Sequence, residues 1–271
     1  MPIELSLVIP TYNERANVLA LLAEVRAALD GLAWEAVFVD DSTDGTDAFV
    51  AELAARDPRI VLLHRPENRG GLAGAVVDGF ARARGTYLCV LDADLQHPPA
   101  RIPALLAEAR AAGADVVVAS RYAPGGSAGG LDGRLRQLYS RGLKGLAKLL
   151  FPRRLAGISD PLGGYFLLHR RVLHGRQLRP IGYKILLEVL VRCAWQTVRE
   201  VPYRFEPRHL GDSKADLRQG LRFLHHLRTL VWDCSPAVVR VRRWYSPVTQ
   251  LQTRRPPMSL SAGPPLAHSP K

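Results

Sequence analysis

Hydrophobic and polar positions follow two alternating periodicities in the first 120 residues of the chain. Short runs rich in β-branched residues predict strands at 5–10, 35–40, 60–64, 86–92 and 115–120. Stretches rich in Ala and Leu, with the spacing of an amphipathic helix, fill the gaps between these runs. Such regular alternation predicts an α/β fold built on a doubly wound, mainly parallel sheet with helices on both faces.

The second half of the chain is less regular. We expect a strand at 164–168, a helix at 182–193, and an edge strand at 197–205, because Pro202 cannot donate a ladder hydrogen bond. From residue 246 onward Pro, Ser and Thr occur without periodicity, which predicts a disordered tail. The predicted organisation is a main domain, a helical segment and a tail, at 1–210, 211–245 and 246–271.

Charge and composition narrow the choice of partner. The formal net charge is +12 and the sequence pI is near 10.2, so we expect nucleic acid, anionic lipid or a phosphorylated small molecule as partner. Three cysteines without a C-x-x-C pair indicate neither a disulfide framework nor a zinc site. No secretion signal and no apolar run of about 18 residues is present, so we expect a cytoplasmic protein whose membrane contact is peripheral.

Polar groups follow the first two predicted strands, at residues 10–14 and 41–46. In doubly wound sheets, ligands bind at the carboxyl ends of the strands. We therefore favour Asp41 as a ligand-binding carboxylate that accepts hydrogen bonds from a base or a ribose. Asp44 we favour as a cap of the following helix, and Glu14 has the same alternative role.

Two acids one residue apart, Asp92 and Asp94, follow the fourth predicted strand. Carboxylates this close together favour a cation between them, and hard oxygen ligands suit Mg²⁺ or Mn²⁺. Gln96 can add a neutral oxygen ligand. His97 precedes two prolines, and we expect it to be a loop residue rather than a ligand.

Two amphipathic segments carry much of the positive charge. Eight Lys or Arg residues and one acid lie between Arg121 and Arg154, and the helix predicted at 134–151 has Arg136 and Ser140 on its polar face. The segment 216–232 repeats this pattern. Both are either ordinary surface helices or interfacial helices that lie in anionic headgroups, and in the second case the first helix offers Arg136 and Ser140 to a lipid phosphate. Nucleic-acid binding is less favoured, because no helix-turn-helix, zinc-finger or RNP-like motif accompanies the charge.

Seven motifs occur in a characteristic order: PTYNE at 10–14, VDD at 39–41, DADLQHP at 92–98, SRY at 120–122, DP at 160–161, GYKILLE at 182–188 and RHLGDSK at 208–214. Together they resemble the dolichyl- and polyprenyl-phosphate mannose synthase group of the family 2 glycosyltransferases, over roughly residues 5–232. The resemblance implies a GT-A-like fold, and it makes 1–210 the catalytic domain.

The resemblance also implies roles for individual residues. A nucleotide-sugar, GDP-mannose first and UDP-glucose second, would have its nucleoside held by Pro10, Tyr12, Glu14, Val39 and Asp41. Mg²⁺ or Mn²⁺ would be bound by Asp92, Asp94 and Gln96. The diphosphate would lie among Asp92, Ala93, Arg121, Lys184, Arg208 and Lys214. The acceptor, a polyprenyl phosphate, would be held by Arg121, Arg136 and Ser140. We expect three of these residues to be catalytic: Asp94, Arg121 and Arg136.

The implied reaction is attack of the lipid phosphate on the anomeric carbon with inversion, and it requires no general base, because a phosphate monoester is already ionised. The implied partners include an anionic membrane surface and a separate membrane-anchoring protein, and no nucleic acid. Two alternatives stay open: a family 2 transferase with a soluble hydroxyl acceptor and Asp160 as base, or a nucleic-acid-binding protein without transferase activity. Lys184 has an alternative role as well, in a surface pair with Glu188.

Overall fold

A computed structural model describes residues 2–129, 134–179, 181–207 and 217–234, with backbone alone at 134–139 and 217–219. Within these ranges, seven strands form one sheet in the order β3-β2-β1-β4-β6-β5-β7. The strands are β1 Leu5–Thr11, β2 Trp34–Asp40, β3 Ile60–His64, β4 Tyr87–Val90, β5 Val116–Ser120, β6 Phe166–His169 and β7 Val198–Pro202.

The sheet is mainly parallel, as the alternating pattern predicts. Strands β1, β2, β3 and β4 pair in parallel, and β5 pairs in parallel with β7. Strand β6 lies antiparallel between β4 and β5. Every residue of β1 and β2 is buried, because helices cover both faces of the sheet at its centre.

Eight α-helices pack around this sheet within the described ranges: α1 Val18–Ala28, α2 Thr46–Arg56, α3 Gly71–Arg82, α4 Ile102–Ala112, α5 Arg134–Leu150, α6 Pro152–Leu155, α7 Ile185–Arg192 and α8 Leu217–Cys234. The buried side chains form two clusters, one on each face of the sheet. One cluster includes Phe80, Phe166 and Phe223, and the other includes Trp34, Phe38 and Tyr165. The predicted doubly wound architecture is confirmed.

Two predicted strands are shorter in the structure. The strand expected at 86–92 ends at Val90, because the backbone N–H of Asp92 donates to Nδ1 of His97 at 3.0 Å instead of to a neighbouring strand. The edge strand expected at 197–205 covers Val198–Pro202. Its place at the sheet edge is confirmed, and Pro202 is its last residue.

A buried cluster of charges joins α7 to α8. Glu188 is fully buried, and its carboxylate contacts Arg192 at 2.9 Å and Nε2 of His226 at 2.7 Å. Arg192 also contacts Asp233 at 2.8 Å. The alternative surface pair between Lys184 and Glu188 is therefore wrong, since Glu188 faces α8 rather than solvent.

The predicted amphipathic segments are both helical, as α5 and α8. None of the described helices combines the length and the apolar character needed to cross a bilayer. The predicted tail at 246–271, the domain boundary at residue 210 and the end of the helical segment after residue 234 lie outside the described residues.

Candidate functional site

The turn after β4 places the two acids of the metal motif at the carboxyl edge of the sheet. Oδ1 of Asp94 accepts a hydrogen bond from the backbone N–H of Gln96 at 3.1 Å. Leu95, between them, has a φ of 64°, in the left-handed region that non-glycine residues rarely adopt. Asp94 is buried, whereas the side chain of Asp92 is about one third exposed. The turn is therefore held in a strained form that keeps both carboxylates near this edge.

The buried side chain of His97 supports this turn. It is buried, stacks on Tyr165 with ring centroids 5.0 Å apart, and accepts the Asp92 N–H. A Cβ on Gly164 would lie 3.1 Å from Cε1 of His97, so only glycine leaves the ring its ordinary space. Burial lowers the pKa of His97 to about 4, although the charge of Asp94 opposes this shift. His97 is a loop residue, as expected, and it has a structural function in the turn.

The donor atoms of this turn fit a hard divalent cation. In the part of the chain that the structure describes, no three His, Cys, Asp or Glu side chains converge on a metal position. The carboxylates that this turn offers to a cation are those of Asp92 and Asp94. The side-chain nitrogen of Gln96 donates to the carbonyl of Glu206 at 3.2 Å. The oxygen of the same amide is of the kind that suits a hard cation. Two carboxylates and one amide oxygen leave coordination positions for water and phosphate oxygens.

The predicted nucleoside residues lie beside this turn, at the ends of β1 and β2. Pro10 pairs with Val39 across the parallel ladder, and the N–H of Asp41 donates to the carbonyl of Thr11 at 3.0 Å. Strand β1 extends beyond β4, since Val8 is the last β1 residue that pairs with β4. Pro10 lacks an N–H, and no ladder hydrogen bond to β4 is lost at its position. The side chain of Tyr12 is exposed at this edge of the sheet. The structure thus brings Pro10, Tyr12, Val39 and Asp41 together.

Two acids near this edge contact groups that begin helices. The carboxylate of Asp44 accepts from the backbone N–H of Thr46, the first residue of α2, at 3.0 Å. The sequence predicts Asp44 as the cap of this helix, but the N-cap position is Gly45, and Asp44 lies one residue before it. Glu14 accepts from the side chain of Asn17 at 2.7 Å, next to the start of α1.

Arg65 holds Asp41 in place, and it is not among the site residues that the sequence predicts. Its Nε donates to one carboxylate oxygen of Asp41 at 2.7 Å and its Nη2 donates to the other. Further hydrogen bonds run to Asp78, at 3.0 Å, and to the carbonyls of Arg69 and Gly71. Arg65 is the residue after β3, so the strand-end rule that identified Asp41 would also have identified it.

Arg121 and Asp160 form a buried ion pair at the end of β5. Nε and Nη2 of Arg121 donate to the two carboxylate oxygens of Asp160 at 2.7 and 2.9 Å. Burial alone would raise the pKa of Asp160, but the hydrogen bonds and charge of Arg121 hold this pKa below its usual value. The same pair raises the pKa of Arg121 against the effect of burial. Asp160 is therefore ionised and engaged by Arg121 on both oxygens.

Lys184 lies just before α7 and near the same pair. Its Nζ donates to the carbonyl of Leu162 at 2.9 Å. Burial and the neighbouring charge of Arg121 lower the pKa of Lys184 to about 8, while Asp160 and Asp92 oppose the shift. Lys184 thus lies in the electrostatic field of the candidate metal and phosphate residues.

Ser140 on α5 approaches Arg121 through Tyr122. Its hydroxyl lies 3.5 Å from the hydroxyl of Tyr122, and Lys144, one turn later, lies over the Tyr122 ring at 3.7 Å. Arg136 lies one turn before Ser140 on α5, where the structure describes its backbone alone. Arg208 and Lys214, the other two predicted phosphate ligands, lie outside the described residues.

Comparisons of the sequence with known proteins give consistent matches. The family model described as glycosyl transferase family 2 matches residues 6–176. The dolichol-phosphate mannosyltransferase of Pyrococcus furiosus is 39% identical over 232 residues, which cover 85% of this chain and 64% of that protein. The protein of the same name from Saccharomyces cerevisiae is 33% identical over 242 residues, covering 85% of this chain and 88% of that protein. The chain thus spans less than two thirds of the Pyrococcus relative.

Solved structures match the fold at lower identity. Glucosyl-3-phosphoglycerate synthase from Mycobacterium tuberculosis, in complex with Mn²⁺, UDP and phosphoglyceric acid, is 22% identical with a TM-score of 0.62. The match covers 86% of this chain and 79% of that one. Mannosyl-3-phosphoglycerate synthase from Rubrobacter xylanophilus is also 22% identical, with a TM-score of 0.60 and coverage of 89% and 75%. This likeness confirms the expected GT-A-like fold.

Proposed function

The chain belongs to glycosyl transferase family 2, and we propose that it transfers mannose from a nucleotide-sugar to a polyprenyl phosphate. Membership confirms the expectation of a glycosyltransferase. The names of the Pyrococcus and Saccharomyces relatives support both the sugar and the acceptor in this proposal. GDP-mannose is the first donor to test and UDP-glucose the second.

The state of Asp160 is the observation that favours a phosphate acceptor over a hydroxyl. A hydroxyl acceptor needs a general base, and Asp160 is the candidate that the sequence offers. Both of its oxygens are engaged by Arg121, and its pKa is below the usual value, so it is a poor proton acceptor. A phosphate monoester, with its second pKa near about 6, arrives ionised and requires no base.

The proposed reaction is a single displacement. A phosphate oxygen of the lipid forms a bond to the anomeric carbon, while the bond from that carbon to the nucleoside diphosphate breaks and the configuration inverts. Arg121, Arg136 and Ser140 orient the acceptor phosphate for attack, and Lys184, with Arg208 and Lys214, neutralises the departing diphosphate. Positioning and charge neutralisation then account for catalysis.

The nucleoside and the cation have separate places in this proposal. Asp41, Tyr12 and Glu14 would contact the base and the ribose, above Pro10 and Val39. Asp92, Asp94 and Gln96 would hold Mg²⁺ or Mn²⁺, and Ala93 would lie against the diphosphate. The cation supplies charge stabilisation to the diphosphate as it leaves. The Mycobacterium neighbour solved with Mn²⁺ supports a divalent ion in this fold.

We place the reaction at the cytoplasmic face of a membrane. Four apolar side chains of α8 are exposed: Leu221, Leu224, Val231 and Trp232. Three basic or titratable side chains of the same helix are exposed as well: Arg222, His225 and Arg228. Apolar and basic groups on one helix suit an anionic lipid surface. A separate membrane-anchoring protein would strengthen this contact.

The test is a transfer assay with the purified full-length chain, Mg²⁺ or Mn²⁺, a panel of labelled nucleotide-sugars, and a polyprenyl phosphate in detergent. We expect labelled mannose in the lipid fraction with GDP-mannose. The matched control is the polyprenol that lacks the phosphate, which should not be labelled. Equal labelling of the polyprenol would show a hydroxyl acceptor, and failure of every donor to label the lipid phosphate would refute the proposal.

A further inference from the structure

The backbone that carries the Asp160 carboxylate is held by a second acid, Glu200 on β7. Oε1 of Glu200 accepts hydrogen bonds from the backbone N–H of Ser159 at 2.9 Å and of Asp160 at 3.1 Å. Its Oε2 also lies 2.9 Å from the Ser159 nitrogen. One carboxylate therefore accepts from two successive N–H groups and fixes the backbone from which the Asp160 side chain extends.

Hydroxyl groups connect this support to the end of β5. The hydroxyl of Ser159 donates to Glu200 at 2.9 Å and lies 2.5 Å from the hydroxyl of Ser120. Ser120 is the last residue of β5, and its hydroxyl accepts from the backbone N–H groups of Tyr122 and Ala123 at 3.2 and 3.0 Å. The backbone on both sides of Arg121 is thus tied to the loop that carries Asp160.

We propose that Glu200 is a positioning residue for Arg121, acting through the Ser159 and Asp160 backbone and the Asp160 carboxylate. The inference rests on the proposed function, in which Arg121 binds the acceptor phosphate. Nε and Nη2 of Arg121 are committed to Asp160, and Nη1 takes no part in that pair. A guanidinium fixed in this way presents Nη1 to a phosphate at a lower cost in side-chain entropy.

The chain offers a matched control at the start of strands β5 and β7, away from Arg121. Asp115, just before β5, accepts from two successive backbone N–H groups, those of Gln196 at 2.7 Å and Thr197 at 3.2 Å. It also pairs with Arg171, at 2.8 Å, as Asp160 pairs with Arg121. Asp115 and Glu200 therefore each fix a backbone segment through two successive N–H groups, but of the two Glu200 is the one that lies beside Arg121.

The first experiment compares Glu200→Gln with Asp115→Asn in the full-length chain. For Glu200→Gln we expect kcat/KM for the lipid phosphate to fall roughly tenfold or more, since an amide cannot replace a charged acceptor of two N–H groups. The dissociation constant for GDP should stay within about twofold of wild type. Asp115→Asn should lower the melting temperature without this loss. An equal loss in both variants would refute the inference.

A double-mutant cycle tests whether Glu200 acts through Arg121. In an Arg121→Ala background, Glu200→Gln should cause little further loss of kcat/KM, because the side chain that it positions is gone. Full additivity of the two losses would overturn the proposal. Ser159→Ala keeps both backbone N–H groups and should lose much less activity than Glu200→Gln.

A measurement without substrates separates this inference from the proposed function. In ¹⁵N-labelled protein, the Nε–H signal of Arg121, assigned with Arg121→Lys, should exchange slowly with solvent in the wild type and in Asp115→Asn. It should exchange at least roughly tenfold faster in Glu200→Gln. Unchanged exchange would refute the positioning role even if mannose transfer is found. Faster exchange would support it even if the acceptor is another compound.

Discussion

Arg65 donates hydrogen bonds to both carboxylate oxygens of Asp41, and the two side chains are buried together. Arg65 also donates to the carbonyl of Arg69, just before α3, and to that of Gly71, the first residue of α3. The first turn of α3 contacts the segment before Lys184, since the N–H of Ala73 donates to the carbonyl of Gly182 at 3.0 Å. The residues proposed for the nucleoside and for the diphosphate are thus connected through the guanidinium of Arg65 and the first turn of α3.

Replacing Arg65 should weaken donor binding. In Arg65→Gln, the Asp41 carboxylate loses two charge-assisted hydrogen bonds and is free to rotate away from the nucleoside, so we expect KM for the donor to rise roughly tenfold with a smaller change in kcat. Steady-state kinetics and calorimetric titration with GDP measure both effects. The control is Arg84→Gln, which removes the partner of Glu35 near the start of β2, at the end of that strand away from the site. Equal effects of the two changes would contradict a specific role for Arg65.

Removing the second acid of the metal motif should abolish turnover. In Asp94→Ala, one of the two acidic ligands proposed for the cation is lost, so we expect Mn²⁺ affinity in the presence of GDP to fall more than roughly tenfold and transfer to disappear. Electron paramagnetic resonance of free Mn²⁺ measures the affinity independently of activity. Chelation of metal from the wild type should have the same effect on transfer, and added Mg²⁺ or Mn²⁺ should reverse it.

Asp44 provides the control for this change, since it also lies after a strand at the same edge and accepts from the N–H of Thr46. Asp44→Ala should cost about 1 kcal/mol of stability, as loss of one hydrogen bond does, with unchanged Mn²⁺ affinity. Wild-type turnover in Asp94→Ala would show that the cation is not held by this residue.

The buried imidazole of His97 should make the protein sensitive to acid. Its pKa in the folded state is about 4, below the value of 6.5 that applies when it is exposed, so the unfolded chain binds the proton more tightly. The contribution to stability is full above pH 6.5 and decreases as the pH falls toward 4, by about 3 kcal/mol in total. Denaturant unfolding of the metal-free protein at several pH values measures this loss.

His97→Asn is the informative variant for this prediction. The amide oxygen can accept the Asp92 N–H but does not titrate, so we expect lower stability than wild type at pH 7 and a weaker pH dependence between pH 6.5 and 4. An identical pH dependence in the two proteins would show that other groups cause the loss.

The exposed apolar residues of α8 should determine membrane binding. In Leu221→Glu/Trp232→Glu, an apolar surface becomes acidic, so we expect the partition coefficient onto vesicles with anionic lipid to fall roughly tenfold or more. Sedimentation with vesicles measures this partition, and salt should weaken the wild-type binding. Leu19→Glu, at an exposed leucine on α1, is the control. Similar loss from Leu19→Glu would indicate a charge effect without a specific surface.

The sequence by itself determined the sheet, its helices and most strand-end residues of the site. These are local properties: a hydrophobic period selects a strand or a helix, and the parallel connection brings strand ends such as Pro10, Asp41 and Asp94 to one edge. The motif order further indicated the family. Local pattern also placed β7 at the sheet edge, through Pro202.

Only the tertiary structure decided which charges meet. The partners in three of these contacts are far apart along the chain. Arg65 is 24 residues from Asp41, Arg121 is 39 residues from Asp160, and Glu200 is 40 residues from Asp160, whose backbone it binds. No local period encodes such pairs, because each joins two segments that are distant along the chain and meet only in the tertiary structure. Burial then gives these pairs their strength, since a charge removed from water must find an opposite charge or several hydrogen bonds. For that reason Asp160, a possible base in the sequence, is an ionised partner of Arg121 in the folded protein.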